Sequence, residues 1–550
     1  MMSIMNKIFK KAAIVLPLLF VFAYASAQNG GTKAAIDRAA LENIWLSNTE
    51  NAAGGMVDAP VQMANAFFGY DYTKGDFKPV QIGNKINTIK FHTDGGGIYK
   101  NVGGMFLWGD FTYTREDIKG ACWNATLANP LRDMPFFVAD ENVSKWKNQD
   151  YNMGFKVGAP LFRGRLIVGL TGYYEAAIAA KQMDPRPLTR VSNLNVMPAL
   201  LFKINGKNSI GATFHYTSYR EDGSAEDINH LRDQNGWEMV APGFFNDGLI
   251  ASFGGINKLR NYNANALGGS ASYSFVSDKF KLLADGEYLY RVEDVLCNYT
   301  KPQMSGTVKH KTWSATLAAQ YNATQDDRFF VKFKHSNKDY RGIEYFQTYD
   351  NTYEVQSYIT DAEFERSKFT TKVEKVNIDY LKSDGKDAYT WKVGVEASYT
   401  RDGFEYYVPA SSRKVNTLAM SANGSFNFEV NDDNAITVDA NIGYSKNKKG
   451  TFDYNGVKLG NKAFTEFALV DFMYMCSDFS QMGFNISYTF KGIKSLSSLF
   501  CSIGYQHIRP ETVEDIRGVK DFPMEIKEIS DTYRFFKRRD VVSFKVGITF

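Results

Sequence analysis

The chain is 550 residues long, with 64 Lys and Arg against 60 Asp and Glu, and its 15% of aromatic residues includes 32 Tyr and 42 Phe. So near-neutral a balance excludes the basic excess that a nucleic-acid partner demands, and 44% of apolar residues excludes wholesale disorder. Four cysteines (Cys122, Cys297, Cys476, Cys501) without close pairing support no zinc site and require no disulfide.

The N-terminus predicts export. Lys7, Lys10 and Lys11 precede the apolar core "AAIVLPLLFVFAYASA", and Ala25 and Ala27 give the A-x-A spacing of a signal-peptidase site, so residues 1–27 are expected to leave before Gln28. The core is short for a membrane span and contains Pro17. Without the three leader lysines, 61 basic residues face 60 acidic ones in the mature chain. No later apolar run reaches the length of a transmembrane helix.

Residues 28–62 contain one helical pattern, "KAAIDRAALENIWLSN", in which Ile36, Ala40 and Ile44 recur at four-residue spacing. This segment is expected to be a plug or a periplasmic extension. From residue 63 to 550 the pattern is that of strands. "AYTWKVGVEASYT", "LAMSANGSFNFEV", "AITVDANIGYS" and "QMGFNISYTF" alternate apolar and polar residues over stretches of 9 to 13 residues. That length suits a tilted membrane strand better than a globular sheet.

Counting back from Phe550 places strands near 539–550, 496–510, 470–490, 434–446, 411–430, 387–405, 367–382, 327–340 and 306–322. The series continues near 279–297, 262–277, 208–221, 190–205, 165–180, 150–160, 100–116, 84–93 and 64–74. In the first pair, "KGDFKPVQIGN" reads equally as a plug or rim loop. Tight connections ("FRGR", "NGKN", "SDK", "KSDGKD", "VNDDN") alternate with long polar ones near 118–148, 222–261, 341–366, 447–469 and 511–538. Loops segregated by parity are the mark of a barrel with short periplasmic turns and long external loops. Aromatics near strand ends (Tyr389, Trp391 and Tyr399; Tyr288 and Tyr290; Phe214 and Tyr216) suit interfacial girdles. The expected fold is therefore all-β, a transmembrane antiparallel up-and-down β-barrel of 16–18 strands, with 14 admitted, behind a short N-terminal helical segment.

Alternation also sorts the faces. Asp285, Glu287, Arg291, Lys332, Lys392, Glu396, Asp439 and Lys545 fall on the lumen side. They serve either as a selectivity lining or as a polar filling whose charges pair across strands. Arg186, in "MDPRPLTR", is placed on an external connection, where it reaches the mouth or anchors the loop to a carboxylate. No enzyme is expected, because G-x-S-x-G and H-E-x-x-H are both missing. Among six histidines only His215, inward-facing in "SIGATFHYTSYR", offers a candidate base. No cofactor or metal is implied.

The last strand, with Phe544, Val546, Ile548 and Phe550 on one face, resembles the assembly signal of outer-membrane barrels. "ENIWLSNTENAAG", "KGDFKPVQIG", "FLWGDFTYTRED" and "DPRPLTR" are similar to an uncharacterised Bacteroidota-type family of outer-membrane β-barrel proteins. The resemblance implies residence in the outer membrane, contact with its lipid and with the barrel assembly machinery, and a nutrient-acquisition setting beside TonB-dependent receptors. The expected function is uptake or passage of a small solute. The alternative is a non-conducting surface-binding or scaffold barrel partnered with such a receptor.

Overall fold

The computed structural model describes residues 32–60, 62–226, 234–250, 259–297, 301–352, 357–457, 461–492, 498–511 and 536–549. The expected signal peptide and Phe550 lie outside them.

Strand alternation closes into one ring. Its first members are β1 (Met63–Gly75), β2 (Lys85–Tyr99), β3 (Met105–Ala121), β5 (Ser144–Leu161), β6 (Leu166–Lys181), β7 (Arg186–Lys203) and β8 (Asn208–Glu226). The ring continues through β11 (Leu259–Val276), β12 (Phe280–Cys297), β13 (Gln303–Asn322), β14 (Asp327–Asp350), β15 (Ser357–Lys382) and β16 (Trp391–Tyr406). It ends with β17 (Ser411–Asn431), β18 (Asn434–Asp453), β19 (Phe479–Phe490), β20 (Ser498–Pro510) and β21 (Arg539–Thr549). Each strand pairs antiparallel with its neighbours, and β21 returns to β1 with Val546 opposite Phe68 and Phe544 opposite Tyr70. Three strands stand apart as a small sheet in the long connections, β4 (Phe137–Ala139), β9 (Gln234–Ala241) and β10 (Phe244–Ile250).

The barrel has 18 strands. This corrects the range of 16–18 with 14 admitted: β1 pairs with both β21 and β2, so the first pair belongs wholly to the wall and "KGDFKPVQIGN" supplies the end of β1 and the connection to β2. Other boundaries change as well. The expected strand near 470–490 is helical over Leu469–Cys476, behind a wide-turned helical stretch at Ala463–Ala468, and extended only from Phe479. The expected loop at 341–366 is mostly wall, since β14 runs to Asp350 and β15 starts at Ser357.

Register fixes the two faces. The outer face carries Phe68 and Ile442, each 65% exposed, with Phe214, Leu267, Tyr288, Phe426, Phe484 and Phe544. Phe329, Tyr380 and Trp391 form an aromatic row near the short-turn end, with centroids 4.9 Å apart at each step. Tyr389 does not join that girdle. It is fully buried and its hydroxyl donates to Asp37 Oδ2 at 3.2 Å. A closed ring, apolar outside and polar within, is the arrangement of a transmembrane barrel, in which every backbone amide of the wall finds a partner. The protein is an outer-membrane β-barrel.

Candidate functional site

The lumen is filled from both ends by the chain itself. At the short-turn end the segment before β1 folds inward. Thr32 caps the helix Lys33–Glu42, its hydroxyl accepting from Ala35 N at 3.3 Å. Trp45 follows, fully buried, with Nε1 donating to Ser274 Oγ at 3.0 Å. Ile167, Leu201, Leu283 and Ala318 of the wall pack around it. Asn51 Nδ2 donates to Leu200 O at 3.1 Å, and Thr171 Oγ1 donates to Glu50 O at 2.8 Å.

Small residues make this seat possible. A Cβ on Gly211 would stand 3.0 Å from the Trp45 ring, and one on Gly169 would stand 2.6 Å from Ala53 N. Asp58 closes the segment on itself, accepting from Trp45 N at 2.9 Å and Leu46 N at 2.8 Å. Burial pushes its carboxyl up to about 7, against the lowering effect of those amides.

At the other end the long connections interlock. Trp123 stacks on Phe467 at 5.8 Å and meets Trp237 at 4.9 Å, while Tyr454 stacks on Phe464 at 3.9 Å. Lys181 Nζ lies 2.5 Å from Asp140 Oδ2, both fully buried, and burial raises the Asp140 carboxyl to about 6 although Lys181 opposes the shift. Asp471 accepts from Val80 N at 2.7 Å, tying the 463–476 helix to the β1–β2 connection.

The connection between β3 and β5 reaches across the lumen. Thr189 Oγ1 donates to Thr126 O at 2.7 Å, and Ala128 N donates to Glu221 at 2.6 Å. Arg132 sits 2.7 Å from Glu221 on β8 and 2.6 Å from Glu293 on β12, over the rings of Tyr262 at 4.6 Å and Tyr219 at 5.2 Å. Burial disfavours its charge, but the two carboxylates hold the guanidinium above its ordinary value.

Beside the N-terminal filling the lumen keeps a half-open cavity of about 430 Å³, lined among others by Glu50, Asp110, Tyr173, Glu175, His215 and Glu287. His215 Nδ1 is 3.0 Å from Glu287 Oε1, although β11 separates their strands. The pair can meet because the inward face of β11 between them is Gly268 and Ser270.

The register places all eight sequence-derived lumen residues on the inner face, and most have partners. Asp285 accepts from Ser272 Oγ at 2.6 Å, Arg291 lies 2.6 Å from Glu293, and Glu396 lies 2.6 Å from Lys375. Asp439 meets Lys33 of the N-terminal helix at 3.3 Å. Lys392 stands 5.8 Å from the Tyr389 ring and Lys545 stands 5.5 Å from that of Phe67. Lys332 lies opposite Ala318 and Asn377. Arg186 opens β7 on its outer face, 2.9 Å from Asp184, rather than turning into the mouth. Of the assembly residues, Phe544, Val546 and Ile548 belong to the outer face of β21. The four cysteines are free.

Sequence reading missed Trp45, Glu50, Asp110, Arg132 and Glu175. Pro130 and Pro135 flanking Arg132, and the run "NAAGG" after Trp45, were the available signals of a rigid inserted loop and a close-packed turn. Among the described residues, no group of three or more His, Cys, Asp or Glu is placed to hold a metal ion.

No curated protein sequence matches the chain. Solved structures that match include the ferric yersiniabactin uptake receptor FyuA from Yersinia pestis, at 7% identity and a TM-score of 0.40, covering 88% of this chain and 80% of that one. The ferric preacinetobactin receptor BauA from Acinetobacter baumannii matches at 8% and 0.36, covering 88% and 80%. A Pseudomonas aeruginosa FadL homologue matches at 12% and 0.31, covering 91% and 92%. A family profile matches residues 52–550, from the docked turn to the final strand, and the chain belongs to that family of unknown function (DUF6850).

Proposed function

We propose that this barrel takes up a small polar solute through a lumen that its own two inserted segments keep closed. The observation that carries the reading is the half-open chamber of about 430 Å³ that the lumen keeps beside Glu50 of the N-terminal segment, with carboxylates and His215 on its wall. A barrel serving only as a membrane anchor needs no such chamber, whereas an open pore needs no buried latch. Pairing of His215 with Glu287, rather than with a serine or cysteine nucleophile, supports binding over catalysis. Opening requires both insertions to move, and a TonB-dependent receptor beside the barrel would be the partner able to supply that work.

Closure at both ends also favours a second reading, a non-conducting binding or scaffold barrel. Entry of radiolabelled monosaccharides into proteoliposomes separates the two. Under the uptake reading, removing residues 28–58 and replacing Arg132 by Ala together raise the entry rate at least tenfold. If that variant folds but remains impermeable, the scaffold reading replaces it.

A further inference from the structure

His215 faces the chamber with an unused acceptor. The residue is 5% exposed, and its Nδ1 lies 3.0 Å from Glu287 Oε1. Nε2, the other ring nitrogen, is buried and without a hydrogen-bond partner among the described residues, on a side chain that lines the 430 Å³ cavity, and in the neutral ring that donates from Nδ1 it is an acceptor. A buried acceptor without a donor costs about 1–3 kcal/mol, and a donor on a ligand removes that cost.

Asp110 repeats the pattern on β3. Its Oδ1 is buried and unpartnered, and it lines the same cavity. Gly154 on β5 leaves it room, because a Cβ there would stand 2.0 Å from that oxygen. Glu50 and Glu175 add two more carboxylates, against which Lys156 is paired at 3.2 Å with Glu50 alone. Negative charge and acceptors therefore dominate the wall, while Asn152, Asn195 and Thr217 offer groups suited to hydroxyls. Glu175 also lines a second cavity of about 460 Å³, together with Arg132, Glu116 and Asp150.

Resting on the uptake reading above, we infer that the chamber binds a small polyhydroxylated organic cation, such as an amine-bearing sugar, whose N–H groups engage His215 Nε2 and Asp110 Oδ1. A cavity of 430 Å³ holds roughly fourteen waters at about 30 Å³ each, enough for one monosaccharide with several waters. The class is organic because no set of three metal-ligating side chains converges among the described residues.

Isothermal titration of the detergent-purified mature chain with glucosamine, glucose and glucuronate tests this with three rings of one size and three charges. Glucosamine is expected to bind at least tenfold more tightly than glucose, with no binding of glucuronate. Asp110→Asn and His215→Ala should each weaken glucosamine binding at least tenfold, and Lys446→Ala on the outer face should leave it unchanged. Heat-modifiable gel mobility establishes that each variant is folded. Equal binding of all three rings, a preference for glucuronate, or no glucosamine binding at millimolar concentration would overturn the assignment. Glucosamine that binds but never enters vesicles through the released variant sinks the uptake reading and leaves the site standing. Entry without charge preference does the reverse.

Discussion

Arg132 and Glu293 meet at 2.6 Å although 161 residues separate them in sequence. Their contact holds the β3–β5 connection across the barrel, and the second carboxylate, Glu221, sits on the other side of β11. Both acids are buried, at 0% and 1% side-chain exposure. The guanidinium therefore neutralises two charges that the lumen alone does not solvate.

Replacing Arg132 by Ala leaves Glu221 without a counter-charge, while Glu293 keeps Arg291 at 2.6 Å. Stranding a buried charge costs about 3–5 kcal/mol. The loop should detach from the wall and become cleavable by protease within 122–143, with the barrel still heat-modifiable on gels. Adding Glu221→Gln should restore part of the protection.

Trp45 is the anchor of the N-terminal segment. Truncation to Ala removes a fully buried ring and its hydrogen bond to Ser274, at a cost of about 3–5 kcal/mol. Residues 33–58 should then be digested from the folded barrel, whereas Phe68→Ala on the lipid face should leave them protected.

Docking of this segment should depend on pH through Asp58. Its carboxyl is raised by burial from an ordinary 3.8 to about 7. In the docked state the group holds its proton up to about pH 7, whereas in the undocked state it loses it near pH 4. Docking is therefore strongest below about pH 4, weakens as pH rises through that window, and levels off above about pH 7. Protease protection of residues 33–58 across this range reads the effect, and Asp58→Asn should flatten it. Protection that increased with pH would show the opposite linkage.

The C-terminal strand carries a different prediction. Before closure β21 has no β1 beside it and offers an unpaired backbone edge, and the sequence pattern assigns Phe550 to the same assembly signal as Phe544, Val546 and Ile548. Deleting Phe550 should lower the amount of barrel assembled in cells more than it lowers the melting temperature of barrel already folded. Normal assembly of the truncated chain would remove that role.

How legible was this in the sequence? The wall was readable because a face that meets lipid must alternate strictly, as Val542, Phe544, Val546 and Ile548 do. The stretch "VDFMYM" at 470–475 reads as the start of a strand in the sequence because a short, mostly apolar run has no period to separate helix from sheet. Tyr389 was misassigned to the lipid girdle because an aromatic at a strand end looks the same whether it faces lipid or covers a plug. His215 and Glu287 were both placed inward, but their contact depends on two registers across β11 and on Gly268 lying between them. Asp110 and Glu175 drew no notice, since an inward carboxylate announces itself only when the surrounding partners are known. Arg132 sits in a connection, where no periodicity distinguishes a loop that folds outward from one that folds in.

Single-channel conductance in planar bilayers tests the closed lumen most directly. The intact mature chain should be silent, and the variant lacking residues 28–58 and carrying Arg132→Ala should show stepwise openings. Intact protein conducting like an open pore would contradict the account, as would a folded released variant that stays silent.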